Sequence, residues 1–256
     1  MVSSVAIVAG LGNGSGTGGA AARLFAKEGY AVALISRGSE SLNALASSIK
    51  ESGGKANTFP VPAYGPDEIG AAFSEIHKQY PSSEYAIKVA IFNIGHTVGG
   101  PFLQVTAEDI RESNKINIES SFAFARGAIL AFQQNEVTTT GKGTLVFTGA
   151  TASMRGNVTT SGFASGKFAV RALAQSLAKE FGKEDIHVAH AIIDGRVATG
   201  NVRGDRNTPP SGPVENPTPE LKLSPESIAA AYLYLVNQDR AAWTWELDLR
   251  PAHEKW

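Results

Sequence analysis

The chain has 256 residues, with 27 glycines, 12 prolines, no cysteine and a formal net charge of −1; 43% of it is hydrophobic and 18% charged. That balance, with a pI near 6.5, concentrates no Lys or Arg against a phosphate lattice and argues against nucleic-acid and membrane partners, while zero Cys excludes a disulfide framework, a thiol nucleophile and a thiolate zinc site. MVSSVAIVAG has no basic n-region and no run of 18 apolar residues follows, so a soluble, cytoplasmic protein is expected, with residues 1–256 forming a single domain.

Taken in order, the apolar run Val5 to Ala9 reads as a strand and the stretch Ala20 to Glu28, with Ala21, Leu24 and Phe25 at helical spacing, as a helix ending at Gly29. A strand follows at Ala31 to Ile35, a helix near Ser39 to Ser52, a strand near Asn57 to Val61 and a helix near Pro66 to Gln79. Then come a strand at Ala86 to Asn93, a long helical stretch from Ala107 to Phe132, a strand at Thr144 to Thr148 and a helix from Phe163 to Phe181. The strand His187 to Ile193, the helix Pro225 to Val236 and a last strand at Glu246 to Leu249 complete the pattern. Seven near-continuous apolar strands alternating with helices predict an α/β fold, a doubly wound parallel sheet with helices on both faces. The segment 200–222 holds five of the 12 prolines and is too long for an ordinary connection, so it reads as a substrate loop or lid.

Six of the glycines fall between Gly10 and Gly19, right after the first strand. Gly14, Gly16 and Gly19 fit G-x-G-x-x-G, while Gly12, Gly16 and Gly18 fit G-x-x-x-G-x-G. Between a strand and a helix, such glycines let the backbone turn tightly against a pyrophosphate held at the helix N-terminus. Gly12, Asn13, Ser15, Gly16, Thr17 and Gly18 are therefore the candidate cofactor turn. Past the second strand the sequence reads Ser36-Arg37, a guanidinium where an NAD ribose would want a carboxylate, which favours NADP(H). Tyr64, beyond the third strand, is taken with them.

With these motifs in place the chain resembles the short-chain dehydrogenase/reductase family over essentially its whole length. Its glycine turn is similar to that family's T-G-x-x-x-G-x-G with Leu11 for the threonine, and Phe92-Asn93-Ile94-Gly95 to its N-N-A-G. Asn117 falls where the family has a catalytic asparagine, and Asp194-Gly195-Arg196-Val197-Ala198-Thr199 resembles P-G-x-x-x-T. The resemblance implies a Rossmann-type fold. It also implies nucleotide contacts from Asn93, Gly95, Gly195, Val197 and Thr199, a lysine on the nicotinamide ribose, and a homodimer or homotetramer.

Departures concern the chemistry. The family's Y-x-x-x-K reads Phe163-Ala164-Ser165-Gly166-Lys167 here, and the serine thirteen residues before the tyrosine is Ala150, unless Thr151 replaces it. Lys167 and Asn117 are retained. In carbonyl reduction the tyrosine supplies a proton, a contribution of about 10²–10⁴ in rate, and Phe163 has none to give. Three routes stay open. A hydroxyl of Thr151, Ser153, Thr160 or Ser161, or a water, substitutes for the tyrosine; or the acceptor is an iminium or conjugated C=C that needs little acid; or the nucleotide is held without redox turnover, as in a sensor, pseudoenzyme or non-redox lyase or cyclase. The leading expectation is an NADP(H)-dependent oxidoreductase acting on a small carbonyl, enone or imine, with Asn117, Lys167 and Thr151 as catalytic candidates and His96, Ser153 and Phe163 lining the substrate.

No nucleophile elbow or phosphate loop occurs, and no metal site is expected, since His187 and His190 point to opposite faces of a strand. Phe122, Phe124, Phe132, Phe168 and Phe181 lie at helical spacings, which predicts core packing first and, from the resemblance, a subunit interface second. Trp243 and Trp245 suit an interface or a pocket cap.

Overall fold

A computed structural model describes residues 2–199 and 221–253. Seven strands form one parallel sheet in the order β3-β2-β1-β4-β5-β6-β7: β1 (Ser3–Ala9), β2 (Ala31–Ser36), β3 (Lys55–Pro60), β4 (Tyr85–Phe92), β5 (Gly143–Thr148), β6 (Ile186–Ile193) and β7 (Glu246–Leu249). All six pairings are parallel. The predicted strands match these within two residues at each end.

Strand alternation sorts the core into two layers. Val5, Ile7 and Ala9 pack with α3 (Pro66–Gln79), α5 (Ser120–Gln133) and α6 (Ser161–Phe181), whereas Ala6 and Val8 pack with α1 (Thr17–Lys27), α2 (Ser39–Glu51) and α7 (Pro225–Val236). With both faces covered, every residue of β2 and β6 is buried. The switch in strand order between β1 and β4 opens a crevice at the carboxyl ends of the strands, where doubly wound sheets bind ligands.

Two boundaries differ from expectation. The first helix begins at Thr17, inside the glycine run, because Ala20 N already donates to Gly16 O at 3.0 Å. The long helix predicted from Ala107 to Phe132 is divided into α4 (Ala107–Ser113), a π-helical stretch (Asn114–Glu119) and α5. Tertiary bonds to the Asn117 side chain lie at that division, a recognised cause of widened turns. The aromatic group also divides: Phe124 and Phe132 are fully buried, while Phe122 and Phe168 face outward at 56% and 42% exposure. Phe181 is half-buried against the core. The proposed lid lies outside the described residues except for Leu221 and Lys222. Among the described residues no helix is long and apolar enough to cross a membrane.

Candidate functional site

The glycine turn closes on itself through contacts that exclude side chains. Gly14 has φ +84°, a left-handed conformation natural to glycine. A Cβ on Gly18 would stand 2.6 Å from Gly10 O and 3.1 Å from Asn93 Nδ2. Asn93 Nδ2 donates to Gly10 O at 2.6 Å, so the end of β4 latches the turn after β1. Asn13 Oδ1 accepts from Ser15 N at 3.1 Å and Ser15 Oγ at 2.7 Å, and Arg23 Nη1 donates to Gly14 O at 3.0 Å. Gly16 caps α1 with no side-chain hydrogen bond and no acidic residue in the first turn. The amide groups of that terminus and its partial positive charge are thus not matched by a side chain, which fits a pyrophosphate.

Of the other predicted cofactor residues, Thr199 comes beside this turn and the rest have partners of their own. The Thr199 methyl would lie 3.4 Å from a Cβ on Gly16, bringing the segment after β6 across the glycines. Val197 bridges Leu223 in the backbone, and Gly195, at φ +151°, leaves room for the Pro251 ring. On the other flank, Ser36 Oγ and Tyr64 Oη share a hydrogen bond of 3.0 Å, and the Arg37 guanidinium lies 4.7 Å from the Tyr64 ring centroid. Arg37 is exposed beside buried Tyr64, so stacking on the ring orders the cation while leaving its donors available.

The residues expected to carry the chemistry lie where β4, β5 and β6 finish. Asn117, fully buried, receives His96 N at 2.9 Å on Oδ1 and donates to His96 O at 2.9 Å and Ser113 Oγ at 3.0 Å. It ties the π-helical stretch to the segment after Gly95. His96 also lines a cavity of about 370 Å³ with Gln104, Asp109 and Glu112. Lys167, one turn after half-buried Phe163, donates to Thr148 O at 3.0 Å and lies 3.5 Å from where a Cβ on Gly95 would stand. Burial lowers its pKa to about 8.

Three of the four hydroxyls proposed to replace the tyrosine have hydrogen-bond partners of their own. Thr151 Oγ1 donates to Asp194 Oδ1, and Asp194 pairs with Arg250 at 2.7 Å and Arg155 at 3.6 Å. Ser153, expected at the substrate, is fully buried with Oγ accepting from Ala150 N at 3.1 Å. Thr160 Oγ1 accepts from Asn157 N and donates to Asn157 O. Sequence reasoning placed Asp194 in the cofactor segment but missed its bond to Thr151; the one signal was an acidic residue where the resembled motif has proline.

Away from this site, His187 stacks on Trp243 at 4.9 Å, His190 Nδ1 lies 2.9 Å from Glu246 Oε2, and Arg171 lies 5.6 Å from the Trp245 ring centroid. Trp243 thus packs against β6, and Trp245 against a guanidinium of α6.

An all-parallel sheet in this order, with a glycine turn and helix N-terminus at its switch point, defines a Rossmann-type nucleotide-binding protein. The family model described as short chain dehydrogenase matches residues 4–209. The chain is 31% identical to a short-chain dehydrogenase from Rhodopseudomonas palustris of solved structure, with TM-score 0.76 and coverage of 97% of this chain and 98% of that one. An alcohol dehydrogenase from Thermococcus sibiricus, complexed with 5-hydroxy-NADP, shares the fold at TM-score 0.80 and 21% identity over 98% of both chains. The 7alpha-hydroxysteroid dehydrogenase of Clostridium sardiniense is 26% identical over 239 residues, 88% of this chain and 83% of that protein. The chain belongs to the short chain dehydrogenase family and is an oxidoreductase of that type.

Proposed function

We propose that the protein is an NADP(H)-dependent reductase of small carbonyl or conjugated substrates whose active site works without the family's tyrosine and serine. The observation that carries this reading is Lys167. It is 5% exposed, stands at the carboxyl ends of β4 and β5, and follows by one turn a Phe163 that has no proton to give. A buried ammonium with no ion pair among the described residues is costly to keep, and a site that holds a nucleotide and an acceptor gives it a use.

The glycine turn fits the pyrophosphate, since the close approach at Gly18 leaves no room for a side chain there and the α1 N-terminus supplies amide donors. Arg37, stacked on Tyr64, would meet a 2′-phosphate with charge and paired N–H donors. Lys167 and Asn93 would orient the ribose end, with Gly95, Gly195, Val197 and Thr199 around it. When bound, the reduced nicotinamide supplies a hydride. Asn117 holds the His96 backbone, and His96 and Phe163 face the acceptor. Thr151 is an acceptor here rather than a donor, because its proton is committed to Asp194. The T. sibiricus alcohol dehydrogenase, whose structure contains 5-hydroxy-NADP, supports the choice of nucleotide.

The test is incubation with NADPH and, in turn, 4-nitrobenzaldehyde, 9,10-phenanthrenequinone, cyclohex-2-enone and 1-pyrroline, followed at the nicotinamide absorbance. NADPH consumption with a neutral acceptor is expected, and replacing NADPH by NADH should weaken binding by about tenfold or more, the size of one or two charge-assisted hydrogen bonds. Nucleotide binding without consumption would favour the non-redox reading.

A further inference from the structure

Lys167 has one hydrogen bond among the described residues, to Thr148 O at 3.0 Å. An ammonium carries three donors, so its capacity is not filled by the described residues. Burial alone accounts for the lowering of its pKa to about 8, with no carboxylate offsetting it. The titratable group facing it from β6 is His190, kept neutral by burial that lowers its pKa to about 4. On its own helix, Arg171 is paired with Glu246 at 2.7 Å. β5 and the Gly95 turn present backbone.

The hydroxyls near Phe163 are accounted for differently. Thr151 and Thr160 donate in the bonds described above, and Ser153, fully buried, accepts from Ala150 N. Ser161 precedes Phe163 by two residues in α6, about 200° around the helix and so on its opposite side. Lys167 follows Phe163 by four residues, on the same face and one turn further along. Half-buried Phe163 thus shares a helix face with the lysine and contributes neither a proton nor a charge.

We propose that Lys167 is itself the proton donor of the reduction, and that the substrate is a neutral carbonyl or enone rather than a cationic imine. This rests on the oxidoreductase reading above. As hydride from the reduced dinucleotide bonds to the acceptor carbon, the π electron pair moves to the conjugated or carbonyl oxygen. The Nζ–H bond breaks, its electron pair stays on nitrogen, and the proton forms the new O–H bond. The neutral amine regains a proton from solvent. A buried ammonium favours an oxygen gaining negative charge and repels an iminium, which sets the substrate class.

The full chain, labelled with 15N-lysine and free of nucleotide, is titrated by NMR, with Lys167→Arg assigning the signal. One Nζ titrating near 8 is expected; if every lysine Nζ titrates near the ordinary 10.5, the proposal is overturned even if the variant fails to fold. In turnover with NADPH and the four acceptors named above, wild-type kcat should fall about tenfold per pH unit above that value. Lys167→Arg keeps a cation for the ribose but cannot release its proton. It should hold its NADPH affinity in a fluorescence titration, lose kcat by about 100-fold or more and lose the alkaline limb. Retained kcat, an unchanged limb, or parallel loss of kcat and nucleotide affinity would overturn the lysine role alone. Preferential reduction of 1-pyrroline would overturn the substrate class. Wild-type protein that binds NADPH and reduces none of the four would overturn the oxidoreductase reading and the proton transfer with it.

Discussion

His190 shows how strongly this fold controls a single ionisation. Its ring is fully buried, Nδ1 lies 2.9 Å from Glu246 Oε2, and Nε2 has no hydrogen-bond partner among the described residues. Burial lowers its pKa to about 4, against partial support from Glu246. In the unfolded chain a histidine titrates near 6.5, so between that pH and 4 the unfolded state binds more protons and stability falls as pH falls. Over that window the shift corresponds to about 3 kcal/mol. His190→Asn should flatten the acid side of the stability profile, measured by urea unfolding at successive pH values; parallel profiles would show that the ring titrates normally. At the same scale, Phe163, Lys167 and Arg37 could be read from the sequence because their meaning depends on neighbours one helical turn or one motif away. The engagement of Thr151 could not, because its acceptor Asp194 lies 43 residues on and only the adjacency of β5 and β6 brings them together.

Among the elements, the glycine turn and the start of α1 form the most constrained unit. Gly18→Ala would drive a methyl to 2.6 Å from Gly10 O, and overpacking of that kind costs about 1–3 kcal/mol. It should lower the thermal midpoint and weaken NADPH binding measured by fluorescence. Gly70→Ala is the control: it is exposed in α3 with nothing within 4 Å of the added Cβ, and should stabilise by about 0.5–1 kcal/mol without touching nucleotide affinity. Equal effects of the two substitutions would contradict the tight packing described at Gly18. Strand and helix order was legible here because hydrophobic period reports it directly. The π-helical stretch was not: the residues from Ala107 to Phe132 have a continuous helical pattern, and the division at Asn114 coincides with Asn117 bonding the His96 backbone, a partner 21 residues away.

For the whole molecule, α5 and α6 cover one face of the sheet and present Phe122 and Phe168 outward, with Leu130 also 45% exposed. We propose self-association through these side chains, which would bury them between two copies. Wild-type protein should elute in size-exclusion chromatography above the 26.8 kDa of one chain, and Phe122→Glu combined with Phe168→Glu should return it to that mass. A monomeric wild type would place the function of those phenylalanines elsewhere. Composition, strand and helix alternation, the glycine turn and the Phe163–Lys167 spacing were all readable from local order, since each depends on residues within a motif or a turn. The folded chain added which hydroxyls are hydrogen-bonded, where Asn93 latches the turn, and that Lys167 stands buried with Thr148 O as its hydrogen-bond partner. Those are contacts between strand ends, and linear distance along the chain carries no information about them.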